Sequence, residues 1–382
     1  MFTGIIAEFN PLHFGHESLM KFSCGLPDSE GVIAVLSSNF TQRGSPSVVS
    51  KFDRAYTAVK AGADLVIEIP FLYSCSAGQD FSRGAVNILG RLGCVSRIAF
   101  GMENPEFDFE TLSGIMANEP ESFREILRFE LGRGASYSKA LAIAIEGEIS
   151  GAGDFITRPN NMLAVSYMSE IKRGGYKISG VPFRREGGIT SRAIRDDMAG
   201  NFEMMPEYSR GVLEICGREG RISDAEKLWP ILQGILIRSR AEELRKIYGI
   251  DEGIEGLFLK RWRESLSLED FIGRCVCSRY TRAHIRRRII YILLGLKRDN
   301  VNETLKGEVP YARVLSFTEK GRGILRMLRK VSGIPIITRL KDSEGVTGKY
   351  FSETEYRASE LYELTMDRPD MTRESQKVLK FL

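Results

Sequence analysis

MFTGIIAEFNPLHFGH, residues 1–16, is the stretch whose reading decides the fold. Its apolar run Thr3–Ala7 predicts a fully buried strand. Glu8-Phe9-Asn10-Pro11 then turns the chain, and His13-Phe14-Gly15-His16 stands where a helical pattern begins. A first strand that passes through a proline and a glycine into a helix is how open α/β sheets build a nucleotide site. The unpaired amides of such a helix start form a positive socket for phosphate. Two histidines three apart, with a glycine between them, can face that socket together. Imidazole donors suit a phosphorus whose charge grows as it becomes five-coordinate. The plain alternative is a pair of capping histidines, since HxGH also arises by chance. The order strand, proline, HxGH, helix favours the nucleotide site. The chain has three histidines, and two of them are here.

Around that stretch the composition is ordinary for a globular protein. The 382 residues are 43% hydrophobic and 27% charged, with a net charge of +4. This length predicts two or three domains, at least one with a full core. No run approaches the ~20 apolar residues of a membrane span. The N-terminus lacks a basic leader region, so no signal peptide and a cytoplasmic location are expected. Cys24, Cys75, Cys94, Cys216, Cys275 and Cys277 are scattered, with one C-x-C pair. Free thiols are therefore expected, with neither a disulfide framework nor a zinc site. With so small a net charge, any nucleic-acid surface must be a local patch.

The pattern continues as strand and helix in alternation. Strands are expected at Gly31–Ser37, Leu65–Ile69, Arg97–Phe100 and Tyr176–Phe183. Helices are expected from about Ser50 to Gly62, Gln79 to Leu92 and Asn160 to Arg173, with a helical, acidic insertion over Glu106–Glu148. This alternation predicts an α/β fold, an N-terminal doubly wound parallel sheet of the Rossmann-like nucleotidyltransferase kind over residues 1–200. Past Gly200-Asn201 the pattern becomes mostly α-helical and basic, giving a second domain over residues 201–382.

Ligands of such a sheet sit at the carboxyl ends of its strands. Polar and glycine residues gather there, at Glu8–His16, Ser37–Arg43, Gly101–Glu103, Arg184–Arg185 and Ile189–Arg195. Gly187-Gly188-Ile189-Thr190-Ser191 followed by Arg195 offers a second phosphate socket, suited to a departing pyrophosphate. Taken alone, Thr190 or Ser191 reads as a simple N-cap. Glu8, Lys21, Lys51 and Asp64 read as structural.

Longer blocks carry a resemblance. HxGH paired with the later ITSRAIR resembles the HIGH-type nucleotidyltransferase superfamily, which includes class I aminoacyl-tRNA synthetases. GIIAEFNPLHFGH, SSNFTQRGSPSVVSKFDRA, GADLVIEIPFLYS, FGMEN, RPNNMLAVSY, SRYTRAHIRRRIIYILLG and YARVLSFTEKGRGIL together resemble the tRNA(Met) cytidine acetate ligase family over most of the chain. That resemblance implies activation of acetate by ATP as acetyl-adenylate. The acetyl group then passes to the exocyclic amine of the wobble cytidine of elongator tRNA(Met). It maps the family's ATP-contacting segment onto Ile6, Ala7, Glu8 and Phe9 at the strand end. The segment continues through Asn10, Pro11 and Leu12 in the turn, and His13, Phe14, Gly15, His16, Glu17, Ser18 and Leu19 at the helix start. Further ATP contacts map onto Gly101, Asn160 and Arg185. This chain has Arg192 where the family has a small hydroxyl residue, leaving Thr190, Ser191 and Arg195 to serve that element.

Acetate is already ionised at neutral pH, so its attack on the α-phosphorus needs positioning and charge neutralisation rather than a strong base. His13, His16 and Arg195 are the candidate catalytic groups, with ATP as substrate, Mg²⁺ expected beside it, and no tightly bound metal or organic cofactor expected. Between Ser278 and Arg298 lie seven Lys or Arg and no acid. Read as one amphipathic helix, this segment offers Arg279, Arg282, Arg286, Arg287, Lys297 and Arg298 to RNA phosphates and Tyr280 for stacking. The competing reading pairs these cations with Glu264, Glu269 and Asp270. Arg313 and Arg339, on two short strand-like segments, are expected near the same surface. Two other functions stay open. A small-metabolite adenylyltransferase would turn over without RNA, and a non-catalytic RNA-binding protein with a vestigial nucleotide fold would not bind ATP.

Overall fold

The computed structural model describes residues 1–185, 190–347, 349–375 and 379–380. Its centre is a sheet in the order β5-β4-β1-β2-β3-β6-β7, with β8 also paired to β6. The first five strands are β1 (Phe2–Ala7), β2 (Gly31–Ser37), β3 (Leu65–Ile69), β4 (Val95–Met102) and β5 (Ser179–Arg184), all parallel. Successive side chains of a strand point to opposite faces, so a strand covered on both sides must be apolar throughout. In β2 this is explicit. Val32, Ala34 and Leu36 enter one cluster with Ile5 and Val66, while Ile33 and Val35 enter the other with Leu65 and Ile67. Helices α1 (Phe14–Cys24) and α2 (Lys51–Lys60) connect the first three strands. The strand order reverses between β1 and β4, which places the ligand crevice beside the end of β1.

Three expected boundaries move, each for a packing reason. The last strand of the parallel set begins at Ser179, because Tyr176 is spent on packing. A Cβ at Gly90 would stand 2.4 Å from the Tyr176 ring, and the Tyr176 hydroxyl bonds Asn87 at 3.0 Å. The segment Ser278–Arg298 is not one helix. It runs Arg282–Leu294, stops at Gly295 with a left-handed φ of 63°, and restarts at Arg298. The acidic insertion resolves into helices Phe109–Asn118, Glu121–Gly132 and Tyr137–Glu146.

The second half is mostly helical, yet it also completes the sheet. β6 (Ala312–Phe317) runs antiparallel to β3, and β7 (Ile336–Ile337) and β8 (Leu379–Lys380) flank β6. The change of composition near Gly200 is thus not the end of the sheet. Four buried charges bind the pieces together. Lys51 Nζ reaches Glu68 at 2.6 Å and Glu374 at 2.7 Å, and Arg313 pairs with the same two carboxylates. Burial opposes ionisation of Glu374, but Arg313 and Lys51 overcome it and hold that carboxyl down at about 2. Arg313 is therefore interior and takes no part in a surface with Arg339, which pairs with half-buried Asp342. Lys51 is structural, as expected. So is Asp64, which accepts from the Val32 amide. Lys21 pairs with Glu17 one helical turn back. All six cysteines are free. No helix among the described residues is long and apolar enough to cross a membrane.

Candidate nucleotide site

Between the end of β1 and the start of α1 the chain forms a strap, residues 8–12, whose backbone carbonyls find side-chain donors. Arg54 Nη1 bonds the Glu8 carbonyl at 2.6 Å, Arg195 Nη1 bonds that of Asn10, and Ser209 Oγ bonds that of Leu12 at 2.8 Å. Ser191 Oγ approaches the Pro11 carbonyl at 3.4 Å. The Asn10 side chain in turn accepts from the Val48 amide at 2.8 Å. Phe9 sits at φ +47°, a strained value for a bulky residue, and the flanking clamps hold it there. The carbonyls of Glu8, Asn10, Pro11 and Leu12 are thus committed to donors from other elements. A polyphosphate approaching the strap does not meet their negative ends.

His13 is the N-cap of α1. Its Nδ1 accepts from the Gly15 amide at 3.1 Å, and His16 Nδ1 receives the His13 amide at 3.4 Å. The capping reading of HxGH therefore holds, and the same geometry does not oppose the nucleotide reading. With each Nδ1 an acceptor, the neutral rings carry their proton on Nε2 and can donate from it. The two rings stack at 3.8 Å, and Phe9 meets His16 edge-on at 5.1 Å. Gly15 is required for this fold-back, since a Cβ there would lie 2.9 Å from His13 Cε1. Burial, then Arg185, lowers His13 to about 4. Burial, His13 and Arg185 press His16 well below its ordinary value. Both rings are neutral donors at neutral pH.

The remaining expected contacts gather unevenly. Gly101 lies against the Arg185 stem, where a Cβ would meet Arg185 Cγ at 3.0 Å, and the Arg185 charge lowers both histidines. Ile6, Ala7 and Glu8 are half-buried at the end of β1, and Gln42 donates its amide to Glu8 Oε1 at 2.7 Å. On α1, Phe14 is exposed, Leu19 half-buried, and Ser18 bonds the Phe14 carbonyl. Glu17 is held by Lys21 and by Tyr208. Asn160 is engaged by Glu103 at 2.6 Å. Thr190 caps the short helix Ser191–Asp196 through the Ala193 amide, so its plain N-cap reading holds. Arg192 points to Asp196 at the surface. Gly187, Gly188 and Ile189 lie outside the described residues. The sequence reading missed Arg54 and Ser209. Arg54 could have been found, as a charged residue among Phe52, Ala55, Ala58 and Val59 of a buried helix. Ser209 carries no local signal.

The basic segment is largely spent. Arg282 and Arg286 both pair with Glu269, the acid named in the competing reading. Arg287 is buried and donates to the Gln42 carbonyl at 2.9 Å, correcting its expected outward position. Arg298 donates to the Ile250 carbonyl, and Arg279 stands 3.9 Å from Glu252. Lys297 is exposed. Tyr280 is buried, its hydroxyl on the Glu252 carbonyl, and offers no stacking face.

Known proteins resemble this chain throughout. The HIGH Nucleotidyl Transferase family model matches residues 1–377. The tRNA(Met) cytidine acetate ligase of Fervidobacterium nodosum is 30% identical, over 88% of this chain and 83% of that one. The ligase of the same name from Caldanaerobacter subterraneus subsp. tengcongensis is 33% identical, over 94% of each. The crystal structure of Thermotoga maritima TmcAL bound with alpha-thio ATP superposes with a TM-score of 0.94 at 27% identity, over 100% of both chains.

Proposed function

The chain belongs to the HIGH nucleotidyl transferases, in the tRNA(Met) cytidine acetate ligase family, and from that premise we propose how its residues perform such a reaction. The enzyme joins acetate to ATP, releasing pyrophosphate and retaining acetyl-adenylate. It then passes the acetyl group to the exocyclic amine of the wobble cytidine of elongator tRNA(Met), releasing AMP. Residues 1–200 supply the ATP site and residues 201–382 most of the RNA surface, in the cytoplasm.

The observation that carries this reading is the stacked, neutral His13–His16 pair at the start of α1. Nε2 donors there answer charge that develops on the phosphoryl oxygens as the acetate oxygen attacks the α-phosphorus. Arg185 adds a cation beside the pair. Arg195 holds the strap by the Asn10 carbonyl and extends positive charge along it. In the second step the amine attacks the acetyl carbon, the bond to the AMP oxygen breaks, and the amine gives up its proton. No protein nucleophile is needed, because the mixed anhydride is already activated. Mg²⁺ would arrive with the triphosphate, held chiefly by phosphate oxygens and waters. Glu8, at the end of β1 with one oxygen anchored by the Gln42 amide, would be available to assist it.

The test is an acetate-dependent ATP–pyrophosphate exchange assay, followed by mass spectrometry of tRNA nucleosides after incubation with ATP and labelled acetate. Labelled N4-acetylcytidine in tRNA(Met) is the expected product. Turnover of a phosphorylated metabolite with no RNA present would instead identify a small-molecule adenylyltransferase.

A further inference from the structure

The helix Glu319–Val331 carries five cations from Lys320 to Lys330, and no acid occurs between them. Lys320, Arg322, Arg326, Arg329 and Lys330 are all exposed. Ile324 and Leu328 enter the core on the opposite side. The seating is backbone to backbone: a Cβ at Gly321 would stand 1.9 Å from the Asp64 carbonyl oxygen. That contact fixes which side of the helix faces water. Arg322, Arg326, Arg329 and Lys330 recur at spacings of three and four, so they share one flank.

Their partners set them apart from the basic segment at 279–298. Lys320 reaches Asp64 at 3.5 Å, and Arg322 pairs with Glu319. Arg326, Arg329 and Lys330 form no ion pair among the described residues. Three solvated cations within about one Debye length of one another add their potentials. A chain of net charge +4 has few places to concentrate such a field.

We propose that this flank is a contact surface for the phosphate backbone of RNA, away from the base that undergoes chemistry. The proposal rests on the reading of the enzyme as an RNA acetylating ligase. The helix lies at the amino ends of β2 and β3, where Lys320 comes near Gly31 and Asp64, whereas the strap lies at the carboxyl ends. Strands of this length span about 20 Å. A stacked A-form RNA stem extends over a comparable distance. An RNA that places a loop nucleotide at the strap can thus bring its stem past this helix. Contacts made by charge alone carry no base preference, so the flank supplies affinity and the socket supplies selection.

The test compares the full-length protein with the triple variant Arg326→Gln, Arg329→Gln, Lys330→Gln. tRNA affinity is measured across a salt series, with acetate-dependent exchange in the absence of RNA as the control. The variant should bind tRNA at least ten-fold more weakly at low salt. Its slope of log affinity against log salt should fall by about 2 to 3, near one per lost phosphate contact. Exchange should stay within two-fold of wild type. Unchanged affinity and slope would overturn the proposal, as would loss confined to vesicles of phosphatidylserine and phosphatidylcholine. If the triple variant does not fold, the double variant Arg329→Gln, Lys330→Gln should show about two-thirds of the slope change. Failure of wild type to acetylate tRNA would sink the ligase reading, a distinct outcome from a silent triple variant.

Discussion

In the strap, cations arrive from distant elements to grip backbone; in the helix Arg282–Leu294, cations of the segment itself are drawn inward or neutralised. Arg54 and Arg195 come to residues 8 and 10 from two different helices and order a turn that has few backbone partners of its own. Arg287 and Arg288 leave their helix for the carbonyls of Gln42 and Gly249, and Arg282 and Arg286 share Glu269. The same chemical group orders the turn of the proposed nucleotide site in one place and bolts a helix to its neighbours in the other. What decides is the partner, and partners are set by tertiary contacts.

The sharpest way to break this contrast is at the histidines. His16→Ala should reduce acetate-dependent exchange by about 100- to 1,000-fold, the cost of removing a preorganised donor to a developing oxyanion. Circular dichroism and melting should show the fold intact, because His16 closes its bond on the His13 amide within one helical turn. Exchange at the wild-type rate would remove the socket from the account.

Arg54 comes next. Its guanidinium is 1% exposed and bonds the carbonyls of Glu8, Ser37, Ser38 and Val49 and the Ser37 hydroxyl. It thereby joins the ends of β1 and β2 on either side of the strap. Arg54→Gln should raise the KM for ATP roughly ten- to one-hundred-fold and cost about 2–4 kcal/mol of stability, because several buried carbonyls lose a charged donor. Arg54→Lys should restore stability more than KM, since an ammonium lacks the planar fork that spans these oxygens. A KM unaffected by either substitution would make Arg54 a core residue only.

How much of this was readable follows from range. The strand–turn–helix at the N-terminus is written in sixteen consecutive residues, so β1, α1 and the adjacent pair His13 and His16 came out of the sequence together. β2 and β3 were equally clear, as unbroken apolar runs cannot be solvated on either face. The burial of Arg54 was legible from its apolar helix neighbours, but its partners were not, because they are mostly carbonyls, which no side-chain pattern reports. Arg313 and Glu374 were hidden because they also pair with Glu68 and Lys51, which lie hundreds of residues earlier in the sequence. The charge run at 279–298 was visible, but Glu269 and Gln42, which absorb it, lie up to hundreds of residues away in sequence.

Glu269 gives a milder test of the same contrast. An exposed ion pair is worth about 0–1 kcal/mol, so it restrains Arg282 and Arg286 only loosely. Glu269→Gln should free both guanidiniums and raise tRNA affinity about two- to five-fold, with a steeper salt dependence. An affinity that stays put, or falls, would mean that these two arginines serve packing and that RNA is met elsewhere.

The smallest effect separates the two regions by pH, since each holds a buried histidine. Burial and Arg185 lower His13 to about 4, while burial, Arg288 and Arg287 lower His284 to about 3, both from 6.5. Below pH 6.5 the unfolded chain takes up protons at these positions that the folded chain refuses. Stability is therefore level above pH 6.5 and declines as pH falls toward 4, with both sites contributing over that range. A bound ATP analogue should change only one of them. Its phosphates offset Arg185, which lowers His13 and His16, whereas Arg287 and Arg288 are already bonded to the carbonyls of Gln42 and Gly249, so the ligand should raise the first two pKa values and leave His284 low. With three histidines in the chain, proton NMR can follow each ring separately. Two resonances should titrate higher on adding the analogue and one should not move. Movement of His284 alone would place the anion against the basic helix and invert the assignment of the two regions.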